Sequence, residues 1–167
     1  MQPDNATWSS LWDLIKDIRF GMMTLRHGDG TFRSRPMTTQ NGKDDRGGVL
    51  WFFASRRGEP ALDIDGEADV NVSYADPHKD AYVSVAGTAQ LVDDLAKKRA
   101  LFNTMTKAWF PGGVDDPDLV LISVTISHAE YWDVKSGHLT QAVKMLAAAA
   151  TGKRVQLDAE HGEVGKR

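Results

Sequence analysis

Arginine suits anionic ligands because its planar guanidinium is always charged and presents forked donors to phosphate or carboxylate. Two arginines stand one residue apart in Thr31-Phe32-Arg33-Ser34-Arg35-Pro36-Met37. In an extended strand, alternate side chains leave the same face, so Arg33 and Arg35 lie side by side and repel unless something anionic lies against them. Pro36 removes one ladder donor and marks an edge or a bulge. A second basic group, Ser55-Arg56-Arg57, closes the apolar run Val49-Leu50-Trp51-Phe52-Phe53-Ala54. Brought together, four guanidinia and a hydroxyl bind a phosphate dianion through charge-assisted bonds. The alternative is a set of solvated arginines paired with Asp44, Asp45 or Glu59.

Five tryptophans are present, at Trp8, Trp12, Trp51, Trp109 and Trp132. Trp8 and Trp12 share the apolar stripe of a helix. Trp109 precedes Pro111-Gly112-Gly113 and Trp132 stands near a strand end, where an indole can stack on a planar ligand or simply pack. None of the five histidines has metal-ligand spacing, so a metal site is not expected. Nucleophile elbows, Walker loops and dinucleotide fingerprints are missing from the sequence, which disfavours nucleotide binding through those folds. No residue stands out as a general acid or base.

The elements that must position these residues read as follows. Trp8, Leu11, Trp12, Ile15 and Ile18 recur at helical spacing and predict a helix over 7–18. Strands over 20–26 and 31–40 flank Asp29-Gly30, a tight-turn signal, and so form a hairpin. The run over 49–54 predicts a strand buried on both faces. A short helix over 59–66 partly buries Leu62 and Ile64. Strands over 68–74 and 81–92 follow, with Gly87 marking a bulge. Asp93 caps a helix to 107 whose buried side is Leu95, Phe102, Met105 and Trp109. Two strands, over 119–126 and 129–134, pair antiparallel with each other, and a helix over 138–150 ends the domain.

Regular strand–helix alternation is absent, so the fold class is mostly β: an antiparallel β-barrel with peripheral helices. Residues 1–152 form a single domain, followed by a charged, mobile tail over 153–167. At 167 residues, with a net charge of −3 and no cysteine, the chain excludes disulfides and thiolate chemistry and offers nucleic acid no global attraction. No apolar run is long enough to span a bilayer and no signal pattern opens the chain, so a cytoplasmic location is expected, with neither membrane nor nucleic acid as partner.

Arg33-Ser34-Arg35-Pro36-Met37, Leu50-Trp51-Phe52-Phe53-Ala54-Ser55, Val72-Ser73-Tyr74-Ala75-Asp76-Pro77, Tyr82-Val83-Ser84-Val85-Ala86-Gly87, Trp109-Phe110-Pro111-Gly112-Gly113 and Glu130-Tyr131-Trp132-Asp133 together resemble the general stress protein branch of the pyridoxamine 5′-phosphate oxidase-like superfamily. The resemblance covers the chain up to about His138. It implies a split β-barrel that binds FMN, with FAD as a further candidate, in a homodimer whose two flavins lie at the subunit interface. It also implies that Arg33, Ser34, Arg35, Pro36, Met37 and Thr38 run beside the flavin ring and ribityl chain, with Arg35 the leading contact. Phe52, Phe53 and Ser55, with Arg56 and Arg57, then hold the phosphate. Tyr82 stands where the oxidases have a flavin-contacting glutamine, and Trp132 resembles a tryptophan that reaches the flavin from the partner chain.

Two departures argue against pyridoxamine phosphate oxidation. Gln40 replaces a lysine of the oxidases, and Lys135-Ser136-Gly137-His138 replaces their Arg-x-His segment. The resemblance therefore implies an FMN-binding stress-response protein with weak flavin-dependent oxidoreductase activity and NAD(P)H as electron donor. The alternative is a non-enzymatic flavin carrier or redox sensor. Related proteins bind haem or a deazaflavin, but this chain offers no persuasive axial ligand and no wide basic groove.

Overall fold

The computed structural model describes residues 5–134, 138–152 and 159–165. Helix α1 (Asn5–Ile18) leads into the hairpin β1 (Phe20–Arg26) and β2 (Phe32–Thr38), followed by β3 (Val49–Ser55). After a 3₁₀ turn at Ala61–Asp63 come β4 (Glu67–Asp76), β5 (Ala81–Val92), α2 (Leu95–Leu101) and α3 (Thr104–Trp109). The long β6 (Leu119–Val134), α4 (His138–Thr151) and β7 (Ala159–Gly165) complete the order.

All strands are antiparallel, in the order β2-β1-β4-β5-β6-β3, and β7 lies beside β6. Along one edge β6 pairs with β5, while its other edge takes β3 from Leu119 to Thr125 and β7 from His128 to Val134. That change of partner halfway along one strand splits the barrel. The bend falls opposite a register shift at Ala86/Gly87. A Cβ at Gly87 would stand 2.3 Å from the carbonyl oxygen of Thr125, so only glycine lets the two backbones approach this closely.

Alternation along the strands directs Met23, Leu25, Val70, Val72, Tyr74, Val83, Val85, Phe52, Ile122 and Tyr131 inward, where α1 covers them with Leu11, Trp12 and Ile15. Each large side chain removed from water contributes about 1.5–3 kcal/mol before entropy is counted. The barrel closes where β2 meets β3. Thr39 bridges Phe52, the Gln40 amide donates to the Trp51 carbonyl at 2.8 Å, and the Thr39 hydroxyl meets the buried Tyr74 hydroxyl at 2.7 Å. Beyond this bridge the two strands diverge.

Several expectations need correction. Residues 119–134 form one strand, not two, because the bulge at Gly87 absorbs the bend and no turn is needed at Ser127-His128. The helix expected over 93–107 is two helices. Phe102 is extended, and Asn103 opens α3 by accepting from the Met105 and Thr106 amides at 3.0 and 3.1 Å. Leu95, Met105 and Trp109 are exposed rather than buried, whereas Lys98 is buried and donates to Asp93 at 2.6 Å. Leu62 is likewise exposed, with Ile64 alone of that pair in the core. Within the charged tail, residues 159–165 form β7, and the rest of it lies outside the described residues.

Candidate functional site

The diverging ends of β2 and β3, roofed by α3, enclose a cavity of about 590 Å³. From β2 it takes Pro36, Met37 and Thr38, from the end of β3 Phe53, Ala54 and Ser55, and from α3 Met105, Thr106 and Trp109. Arg19, Phe20, Gln40, Arg57, Phe110, Asp116 and Asp118 complete the wall. Alternation on β3 decides which side chains arrive. Leu50 and Phe52 are buried in the core, Ala54 is buried but borders the cavity, and Phe53 and Ser55 are turned to the other face. Asn103 ties the roof to the sheet: it caps α3 and donates to the Gln40 side chain at 3.0 Å.

Three of the wall residues form one linked polar cluster. The Ser55 hydroxyl donates to Asp118 Oδ2 at 2.6 Å, and the Arg57 amide and Nε both reach Asp118 Oδ1 at 3.2 Å. The Ser55 hydroxyl leads these donors in holding the Asp118 carboxyl below its ordinary value. No histidine lines the cavity among the described residues; its ionisable groups are Arg19, Arg57, Asp116 and Asp118. The rest of the wall is largely aromatic and thioether: Phe20, Met37, Phe53, Met105, Trp109 and Phe110. A planar aromatic ligand bearing one anionic group matches that combination.

The residues singled out by sequence separate into two sets. Pro36, Met37, Thr38, Phe53, Ser55, Arg57 and Trp109 line the cavity. Arg33 and Arg35 do not: both pair with Glu59, at 3.6 Å for Arg33, which also bonds Asp29 at 2.8 Å. Glu59 lies 3.5 Å from His27, which bonds Asp63 at 2.8 Å. Glu59 was among the acids considered as their partners, and this pairing ties the β1–β2 hairpin to the turn after β3. Ser34 bonds Thr24 at 2.7 Å. Phe52 is fully buried in the core, and Arg56 pairs with Asp93 at 3.0 Å.

Tyr82 and Trp132 are cross-strand neighbours on the outer face of the sheet, 38% and 37% exposed. Trp132 stacks on His161 of β7 at 5.4 Å. Their exposed strand positions are shared by Phe20 and Met22 of β1. Among the described residues, two histidine–carboxylate groups come together, His27 with Glu59 and Asp63, and His128 with Glu130 and Glu163. Ion pairs within each group join their members.

Sequence reasoning missed Arg19, Phe20, Gln40, Phe110, Asp116 and Asp118 as cavity residues. A signal existed for one of them: Asp116-Pro117-Asp118 immediately precedes a strand, and a hydroxyl and arginine at the end of β3 require an acceptor across the sheet.

The fold and the cavity define an antiparallel split-barrel protein of mixed β and α structure. The family model described as pyridoxamine 5'-phosphate oxidase like matches residues 6–156, and the chain belongs to that family. Protein bli-3 of Neurospora crassa is 28% identical over 155 residues, covering 87% of this chain and 73% of that protein. The crystal structure of the general stress FMN/FAD binding protein from Xanthomonas citri is 29% identical, with a TM-score of 0.71 over 80% of this chain and 93% of the other. A structure from Jannaschia sp. CCS1, assigned to general stress protein 26, shares the fold at 23% identity with a TM-score of 0.75, covering 95% and 97% of the two chains. No helix among the described residues is long and apolar enough to cross a membrane.

Proposed function

We propose that the chain binds FMN in the cavity between β2 and β3 and acts as a flavin-dependent oxidoreductase of the stress-response type, with NAD(P)H as electron donor. The observation that carries this is one cavity whose wall combines aromatic and thioether side chains with the linked Ser55 hydroxyl and Arg57 guanidinium. Phe53, Met37 and Trp109 would flank the isoalloxazine and keep water from its faces, while Ser55 and Arg57 would hold the phosphate. When bound, the flavin supplies the electron chemistry, and the protein contributes binding, orientation and local electrostatics. FAD carries the same ring and ribityl chain and fits the same wall. The similarity to an FMN/FAD binding protein from Xanthomonas citri supports the flavin class.

The active form would be a homodimer. Phe20, Met22, Tyr82 and Trp132 are all more than a third exposed, and apolar side chains of this size grouped on one face mark a contact surface. Phe20 also lines the cavity, so a partner seated on this face would adjoin the flavin. Titration of the protein with FMN, followed by the visible spectrum and by light scattering, tests both claims. Bound flavin in a dimer is expected, and free flavin with a monomer overturns the reading. Anaerobic mixing with NADH or NADPH then separates an enzyme, whose flavin bleaches and turns over, from a carrier or redox sensor, whose flavin resists reduction.

A further inference from the structure

The polar cluster on the cavity wall already holds an anion, and that anion belongs to the chain. Three donors from two residues at the end of β3 converge on the Asp118 carboxylate: the Ser55 hydroxyl at 2.6 Å and two N–H groups of Arg57 at 3.2 Å. A hydroxyl, a backbone amide and a guanidinium edge form the donor set that suits one phosphate face. The Asp118 backbone is held independently of its side chain. Its carbonyl accepts from the Arg56 amide at 2.7 Å and its amide donates to Asp116 Oδ1 at 2.9 Å. Rotation of the side chain alone would therefore release all three donors without moving the strand.

Charge makes that release necessary. The ionisable groups on the cavity wall are two arginines, Arg19 and Arg57, and two aspartates, Asp116 and Asp118, so the wall is balanced before any ligand enters. A phosphomonoester brings a charge of about −1.5 to −2 at neutral pH. With Asp118 in place, that charge would face a carboxylate and find the Ser55 hydroxyl and the Arg57 amide already engaged.

We propose that Asp118 is an internal anion seated in the phosphate subsite, and that a phosphomonoester ligand binds by displacing it from Ser55 and Arg57. Asp118 is then a specificity residue. It disfavours ligands that end in a phosphate dianion relative to uncharged ligands with the same ring, which leave its contacts intact. This inference rests on the flavin reading of the cavity. The competing role, Asp118 as a brace that positions Ser55 and Arg57 for the phosphate, predicts the opposite sign.

The test compares FMN with riboflavin, which lacks the phosphate, on the full chain and on Asp118→Asn and Asp118→Ala, with folding checked by circular dichroism. FMN affinity should rise by about tenfold or more in both variants while riboflavin affinity stays constant. The isosteric Asp118→Asn keeps the experiment decisive if Asp118→Ala fails to fold. Weaker FMN binding, or an equal change for both flavins, overturns the inference while leaving the flavin site standing. Failure of all three proteins to bind either flavin overturns the flavin reading and the inference with it.

Discussion

The Asn103 amide donates to the Gln40 side chain at 3.0 Å while its own oxygen receives the Met105 and Thr106 amides of α3. One side chain thus starts the helix that roofs the cavity and fastens it just beyond the end of β2. Replacing it with alanine removes an N-cap, which costs about 0.5–2 kcal/mol, and unties the roof. Asn103→Ala should lower the unfolding free energy measured in urea by that amount and weaken FMN binding about threefold or more. Gln40→Ala keeps the cap and should show the binding loss with a smaller stability loss. Equal stability losses in the two variants would remove the capping role.

Arg35 is paired with Glu59, away from the cavity wall. Arg35→Ala should therefore leave FMN affinity within about twofold of wild type and cost about 1 kcal/mol or less, as expected of partly exposed ion pairs. A tenfold loss of FMN affinity would return Arg35 to the cofactor site.

This contrast shows what the sequence could carry. Alternation put Arg33 and Arg35 on one face correctly, and Glu59 stood among the acids considered as partners. No local pattern could choose between Glu59 and a ligand, because that depends on where the turn after β3 lands. The β1–β2 hairpin was legible because Asp29-Gly30 demands a tight turn, and the β3 run because its apolar residues are continuous. Ser55, Arg57 and Trp109 were legible as candidate contacts for the same reason: they end or adjoin strongly signalled elements. β7 was not, since only its Gly162 and Val164 are buried and the strand exists through pairing with β6. Asp118 was missed because its partners are more than sixty residues away in sequence.

Asp29 supplies a pH test. The Thr31 hydroxyl first, and then the Thr31 amide, lower its carboxyl from 3.8 to about 2. A group whose folded-state value is depressed stabilises the fold above its unfolded value, and that contribution fades as pH falls toward the folded one. The wild-type urea midpoint should fall from about pH 5 to about pH 2.5 by more than that of Asp29→Asn. Parallel decline in both proteins would contradict the assignment, since the remaining carboxylates are common to both.

Gly87 sits where a Cβ would meet the Thr125 carbonyl at 2.3 Å. Gly87→Ala should cost about 1–3 kcal/mol by forcing β5 and β6 apart, read as a lower midpoint in urea. An unchanged midpoint would mean that the bulge tolerates a side chain and that glycine is not required for the split.

The central claim is that the cavity between β2 and β3 holds FMN with Arg57 at its phosphate. Quenching of flavin fluorescence on titrating the wild-type protein and Arg57→Ala measures it most directly. The account predicts saturable quenching at one flavin per chain, with affinity reduced about tenfold or more in Arg57→Ala. Flavin fluorescence that stays unquenched by wild-type protein, or affinity equal in the two proteins, would contradict it.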